Sequence, residues 1–145
     1  MKQEVLDAYA DYTADQDKAL NQESQNHTRK KILPESGRYQ STFHDYTAFA
    51  YSDKETGETK RAIKLFFRVE EGEKAGLIME RTYWENQYDR AAFFDAVAVL
   101  AGVQVMDVLA GLSALDAQVG KTCVTKVARG TSKKGNDWES LDLVG

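Results

Sequence analysis

A single cysteine, Cys123, leaves this sequence without a disulfide framework or a cysteine zinc site. The two histidines, His27 and His44, lie far apart in the chain, which argues against a metal site. No Walker loop, GxGxxG or HExxH motif occurs. Gly120-Lys121-Thr122 looks like the end of a Walker loop. The glycine that should precede it is missing, because position 115 is leucine, so Gly120 reads as a strand-entry glycine. No apolar run reaches the roughly 18 residues of a membrane span. Met1 is not followed by a basic and then an apolar segment, as in a signal peptide. These absences lead to an expectation of a soluble, cytoplasmic chain that is not an enzyme and needs no cofactor or metal.

What is present is a core. An apolar content of 42% with 10% aromatics suits one ordinary domain and is too high for a disordered chain. The net charge of −4 is unevenly placed. Glu4, Asp7, Asp11, Asp15, Asp17 and Glu23 outweigh Lys2 and Lys18 within residues 1–28, which accounts for all of it. The remainder is neutral and free to present a basic face.

Residues 1–31 lack glycine and proline. Val5, Tyr9 and Tyr12 recur at helical spacing, with Leu20 beyond, and "NQESQNHTRKK" has no apolar stripe. This predicts an acidic, helical or partly disordered N-terminal arm over 1–31. It is read either as a helical arm or partly frayed tail, or as a partner-binding or self-association helix. Pro34, the only proline, marks the boundary with a domain over 32–145.

Within the domain, "RYQSTFHDYTAFAYS" predicts a first strand and "KRAIKLFFRVEE" a second. On the second, Ile63, Leu65, Phe67 and Val69 share one face, and Lys64, Phe66 and Arg68 the other. "LIMERTYW" is a third strand. The period then changes: Phe93, Val97 and Leu100 make the apolar stripe of a helix that Asn86 caps and Gly102 ends. "MDVLAGLSALDAQ" reads as a short helical connection, "VGKTCVTKVAR" as a fourth strand and "WESLDLV" as a fifth. Cys123 is expected to point inward as a small apolar residue. The fold expected is mainly β with one main helix: a five-stranded OB-fold-like barrel, β-β-β-α-β-β, preceded by the arm.

"LPESGRY", "TYWEN", "FFDAVAVLAGV", "LDAQVGKTCVTKV" and "GNDWESL" together resemble phage-encoded single-stranded-DNA-binding proteins of the OB type, and a related phage domain family of unassigned function. The resemblance covers residues 32–145. It implies single-stranded DNA as ligand, replication or recombination proteins as further partners, and a bacterial host cell as the setting; RNA stays a rival ligand because the fold alone does not separate the two, and an oligomer is a further option.

A single-strand binder needs cations along the backbone path and flat side chains on which bases stack. Lys64, Phe66 and Arg68 offer both on the second strand. Arg81 and Tyr83 alternate on one face of the third, with Trp84 at its end. Lys126 and Arg129 follow on the fourth. The loop "GTSKKGND" brings Lys133 and Lys134, and Trp138 stands just past it. In an OB-fold this hairpin lies beside the ligand groove. The alternatives are a solvated loop with an ordinary barrel-end tryptophan, and Phe66 packed under the arm or the helix. The rival function is a protein–protein adaptor that uses the acidic arm and the aromatic face.

Overall fold

The structure is a computed structural model that describes residues 2–9, 33–52 and 54–144. The stretch of the expected arm holding Tyr12, Leu20 and Arg29–Lys31 lies outside the described residues. Helix α1 spans Gln3–Ala8, strand β1 Gly37–Ser52, β2 Thr59–Val69 and β3 Ile78–Trp84. Helices α2, Gln87–Ala101, and α3, Val108–Asp116, follow. Strands β4, Thr122–Thr131, and β5, Asp137–Val144, close the chain. The five strands form one antiparallel open sheet in the order β3-β2-β1-β4-β5.

β1 is the axis of the molecule. Residues 37–42 pair with β4, while 41–52 pair with β2 across a register shift between Phe43 and Asp45. Such a bulge bends a strand and strengthens its twist. The sheet therefore curls, and Arg81 Nε on edge strand β3 comes 3.9 Å from Asp142 Oδ1 on edge strand β5.

The inner face of β2 carries Ile63, Leu65, Phe67 and Val69, all buried, as the alternation predicts. Phe43, Tyr46 and Met79 join them from β1 and β3. The predicted helical stripe of Phe93, Val97 and Leu100 covers this face. Asn86 caps α2 by accepting from Asp89 N at 2.8 Å, and Gly102 ends it at φ 71°. The connection expected to be a helical turn is a full helix, α3. Asp107 starts it by accepting from Ala110 N at 2.9 Å. Gly111 lets α3 approach α2 closely, since a Cβ there would sit 2.7 Å from Phe93. Gly120 enters β4 at φ 98°, consistent with a backbone role. The next residue, Lys121, donates to the Leu100 carbonyl at the end of α2. Cys123 is packed against the core, and burial pushes its thiol up to about 11.

The start of the expected arm is helical, at Gln3–Ala8, and its residues Val5 and Ala8 belong to the core. Val5 is fully buried, and Ala8 and Tyr9 are nearly so. Beyond residue 43, β1 has β2 on one side only. α1 packs against this half of β1, with Lys2 paired to Asp45 and Thr47 donating to Glu4 at 2.7 Å. Arg61 Nε donates to the Ala8 carbonyl at 3.1 Å and stacks on Tyr9. A half-exposed strand edge is costly to leave bare, and α1 covers it.

Candidate nucleic-acid interface

On the outer face of β2, Lys64, Phe66 and Arg68 lie in line and half-buried, as expected. Their surroundings are less suited to phosphate than the sequence suggests. Lys64 is 3.5 Å from Glu80 on β3, and its ammonium rests over the Phe49 ring. Arg68 donates to Glu70 at 2.8 Å. That hydrogen bond, with a second from Thr42, holds the Glu70 carboxyl below its usual range. Phe66 sits between Asp45 and Glu80 in the register. The cations here are committed to carboxylates.

Trp84 is on this outer face too, at the end away from the β4–β5 hairpin. It meets Phe49 and Tyr51 edge-on, at centroid distances of 6.2 and 5.9 Å. Phe49 and Tyr51 escaped the sequence reading, although "TAFAYS" alternates them with alanines. Their shared face with Trp84 is set by the pairing of Phe49 with Ala62, and of Ala62 with Trp84.

Arg81 and Tyr83 do share a face of β3, but it is the inner one, opposite Leu65 and Ile63. Tyr83 is only 4% exposed, packed on Phe93 at 5.5 Å, and burial pushes its hydroxyl up to about 12. It cannot stack a base. Arg81 lies over the Tyr83 ring, donates to the Thr82 carbonyl at 2.6 Å, and faces Asp89 and Asp142 at 3.9 Å each. It ties the two edge strands to α2. Both residues leave the candidate interface for this reason. The hydrophobic demand of the core decides the inner face, and Met79 and Tyr83 outweigh the arginine between them.

The hairpin is tighter than expected. Gly130, Thr131 and Asp137 belong to the strands, so the loop proper is Ser132–Asn136. Ser132 N donates to Asn136 O at 2.8 Å and Gly135 N to Ser132 O at 2.9 Å. Gly135 takes φ 86°, a turn position that favours glycine. This compact turn holds Lys133 and Lys134 out, both exposed, and neither has an ion pair among the described residues.

Trp138 is the second residue of β5 and faces Gly130 on β4. A Cβ at Gly130 would lie 2.5 Å from Trp138 Cζ2 and 2.8 Å from Cε2. The indole is thus laid on bare backbone that only glycine provides. The residue stays 49% exposed to solvent. An open concavity of about 580 Å³ surrounds this end of the ribbon, lined by Arg129, Gly130, Thr131, Asp137, Trp138 and Glu139. Arg129 is engaged, with Glu139 at 3.1 Å and the Leu33 carbonyl at 2.8 Å. Lys126 is exposed on the same face of β4 as Gly130, opposite Arg38 of β1. Arg38 was missed because its partner is fixed by register, which the sequence does not carry.

The structure does not bring these two aromatic features together. Trp138 lies beyond the Gly37 end of β1, and the Phe49–Tyr51–Trp84 group lies toward the other end. Along β1 that is on the order of 40 Å of strand. Among the described residues, no cluster of His, Cys, Asp and Glu is placed to hold a metal ion, and no helix is long and apolar enough to cross a membrane. No protein-family profile matches the chain, and no curated protein matches it in sequence.

Proposed function

We propose that this chain is a sequence-non-specific single-stranded-DNA-binding protein and that the β4–β5 hairpin is its principal contact. The observation that carries the reading is the half-exposed Trp138 ring bedded on Gly130, beside two lysines with no ion-pair partner among the described residues. Every base has a π-face, so stacking on one indole tolerates any sequence. Lys133 and Lys134 supply the cations that a phosphate backbone requires. The strand order, the curl at the β1 bulge and the approach of β3 to β5 through Arg81 and Asp142 support an OB-type barrel as the scaffold. The sequence resemblance adds phage DNA replication or recombination in a bacterial cytoplasm as the setting.

The reading is tested by titrating a labelled dT oligonucleotide across a salt series. Wild-type affinity should fall steeply with salt. Lys133→Ala/Lys134→Ala should flatten the slope by about 1.4, roughly 0.7 for each lost phosphate contact. An unchanged slope would refute the hairpin's role.

A second reading, a protein–protein adaptor, draws on the other end of the sheet. There the half-buried rings of Phe49, Tyr51 and Trp84 adjoin Lys64, which is already neutralised by Glu80. Such a surface suits a protein better than a phosphate backbone. An RNA strand in place of DNA would use the hairpin in the same way, and competition between oligo-dT and oligo-U separates the two.

A further inference from the structure

We propose that Arg38 and Lys126 form a phosphate subsite on the outer face of β1 and β4. A strand stacked on Trp138 would run across β4 onto β1, and not over the outer face of β2 and β3. This rests on the single-strand reading above and adds a path and a residue to it.

The first observation is a broken local rule. Arg38 and Lys126 are direct cross-strand partners, and both are exposed. Like charges placed opposite one another destabilise a sheet pair. Neither residue has an ion pair among the described residues. On its other side Lys126 opposes Asp142, but that carboxylate is turned toward Arg81 at 3.9 Å. Two cations set side by side, neither in an ion pair among the described residues, leave room for an anion from outside, and a phosphodiester meets that demand. Arg38 offers a planar fork of donors and Lys126 a compact charge, a pairing suited to one phosphate group.

The second observation is the path. Strand alternation puts Trp138 and Gly130 on the same outer face as Lys126 and Arg38. The row between them holds only Ala128 and Ser140, two small side chains. Four residues of strand separate the indole from the cation pair, about 13 Å at the usual rise. A strand can leave the tryptophan, cross this low step and reach the cations without meeting a bulky side chain.

The third is the contrast with the alternative route. Lys64 and Arg68 are held by Glu80 at 3.5 Å and Glu70 at 2.8 Å. A phosphate there must displace a carboxylate that is already in place.

The test compares the salt dependence of dT-oligonucleotide binding for the wild type and four double variants. Arg38→Ala/Lys126→Ala should lower the slope by about 1.4 and weaken binding several-fold at low salt. Arg38→Gln/Lys126→Gln, which keeps bulk and removes charge, should do the same. Lys64→Ala/Arg68→Ala should leave the slope near wild type. The thermal midpoint of the Arg38/Lys126 variants should not fall, because a repulsion has been removed. A wild-type slope in both Arg38/Lys126 variants, with a reduced slope in Lys133→Ala/Lys134→Ala, would overturn the subsite and leave the hairpin reading standing. An equal loss in Lys64→Ala/Arg68→Ala would also overturn it, since the effect would then be general surface charge. A wild-type protein that binds no single strand would remove both proposals.

Discussion

Replacing Gly130 with alanine perturbs the candidate site through one methyl group. The added Cβ would lie 2.5, 2.8 and 3.0 Å from three atoms of the Trp138 indole, where ordinary contact needs about 3.5–4.0 Å. The ring must move by about 1 Å or swing away. The backbone itself accepts alanine, because Gly130 is not among the glycines at positive φ. Two effects on stability then oppose each other. Restricting the unfolded chain contributes about 0.4–1 kcal/mol. Against this, the half of the indole that is buried amounts to roughly 100 Å², about 2–3 kcal/mol if wholly lost, and a displaced ring keeps part of it. The thermal stability should therefore change by no more than about 1–2 kcal/mol. Binding should suffer more. Losing the stacked base costs about 1–3 kcal/mol, roughly 5- to 150-fold in affinity, with the salt slope unchanged. The assays are a denaturant melt, the indole emission of the free protein and a dT titration at several salt concentrations. Wild-type affinity together with an unshifted emission spectrum would refute the bedding of Trp138 on Gly130 as the basis of the site.

Phe67→Ala should cost about 3–5 kcal/mol of stability, because Phe67 is buried in the core; Phe66→Ala, half-buried on the outer face, should cost clearly less, and thermal melts of the pair check the order. Removing residues 1–9 should lower the thermal midpoint, since it strips Val5 from the core and the Ala8 carbonyl from Arg61; an unchanged midpoint would mean α1 is dispensable. Burial raises the Tyr83 hydroxyl to about 12 in the folded chain against an ordinary 10, so the unfolded chain ionises first. Its contribution is full below pH 10 and is lost as pH rises to about 12; Tyr83→Phe should weaken that alkaline loss in pH-dependent melts.

Much of the fold was legible because it rests on local periodicity. The inner face of β2 and the stripe of Phe93, Val97 and Leu100 both follow from the spacing of apolar residues, and the helix ends at Asn86 and Gly102 follow from capping chemistry. β3 resisted the same method. "IMERTYW" places one charge on each face, so alternation alone does not say that Arg81 and Tyr83 turn inward. The burial of α1 was hidden because Val5 and Tyr9 read equally well as an isolated amphipathic stripe. What made them core residues is an uncovered edge of β1, a fact of pairing between distant segments. At the site, the sequence supplied the lysines and the tryptophan. It did not supply which cations are already held. Glu80 and Glu139 lie many residues from Lys64 and Arg129, and register alone makes them neighbours. Arg38 became visible only through its place opposite Lys126.

The central claim, that Trp138 stacks a base of a single strand, is tested most directly with Trp84→Phe protein. Trp138 is then the sole indole, because the chain has only two tryptophans. Titrating this protein with poly-dT at low salt should quench its emission in a saturable way, and the quench should reverse on adding salt. Emission that stays constant while a labelled oligonucleotide shows no binding would contradict the claim and leave the adaptor as the better reading.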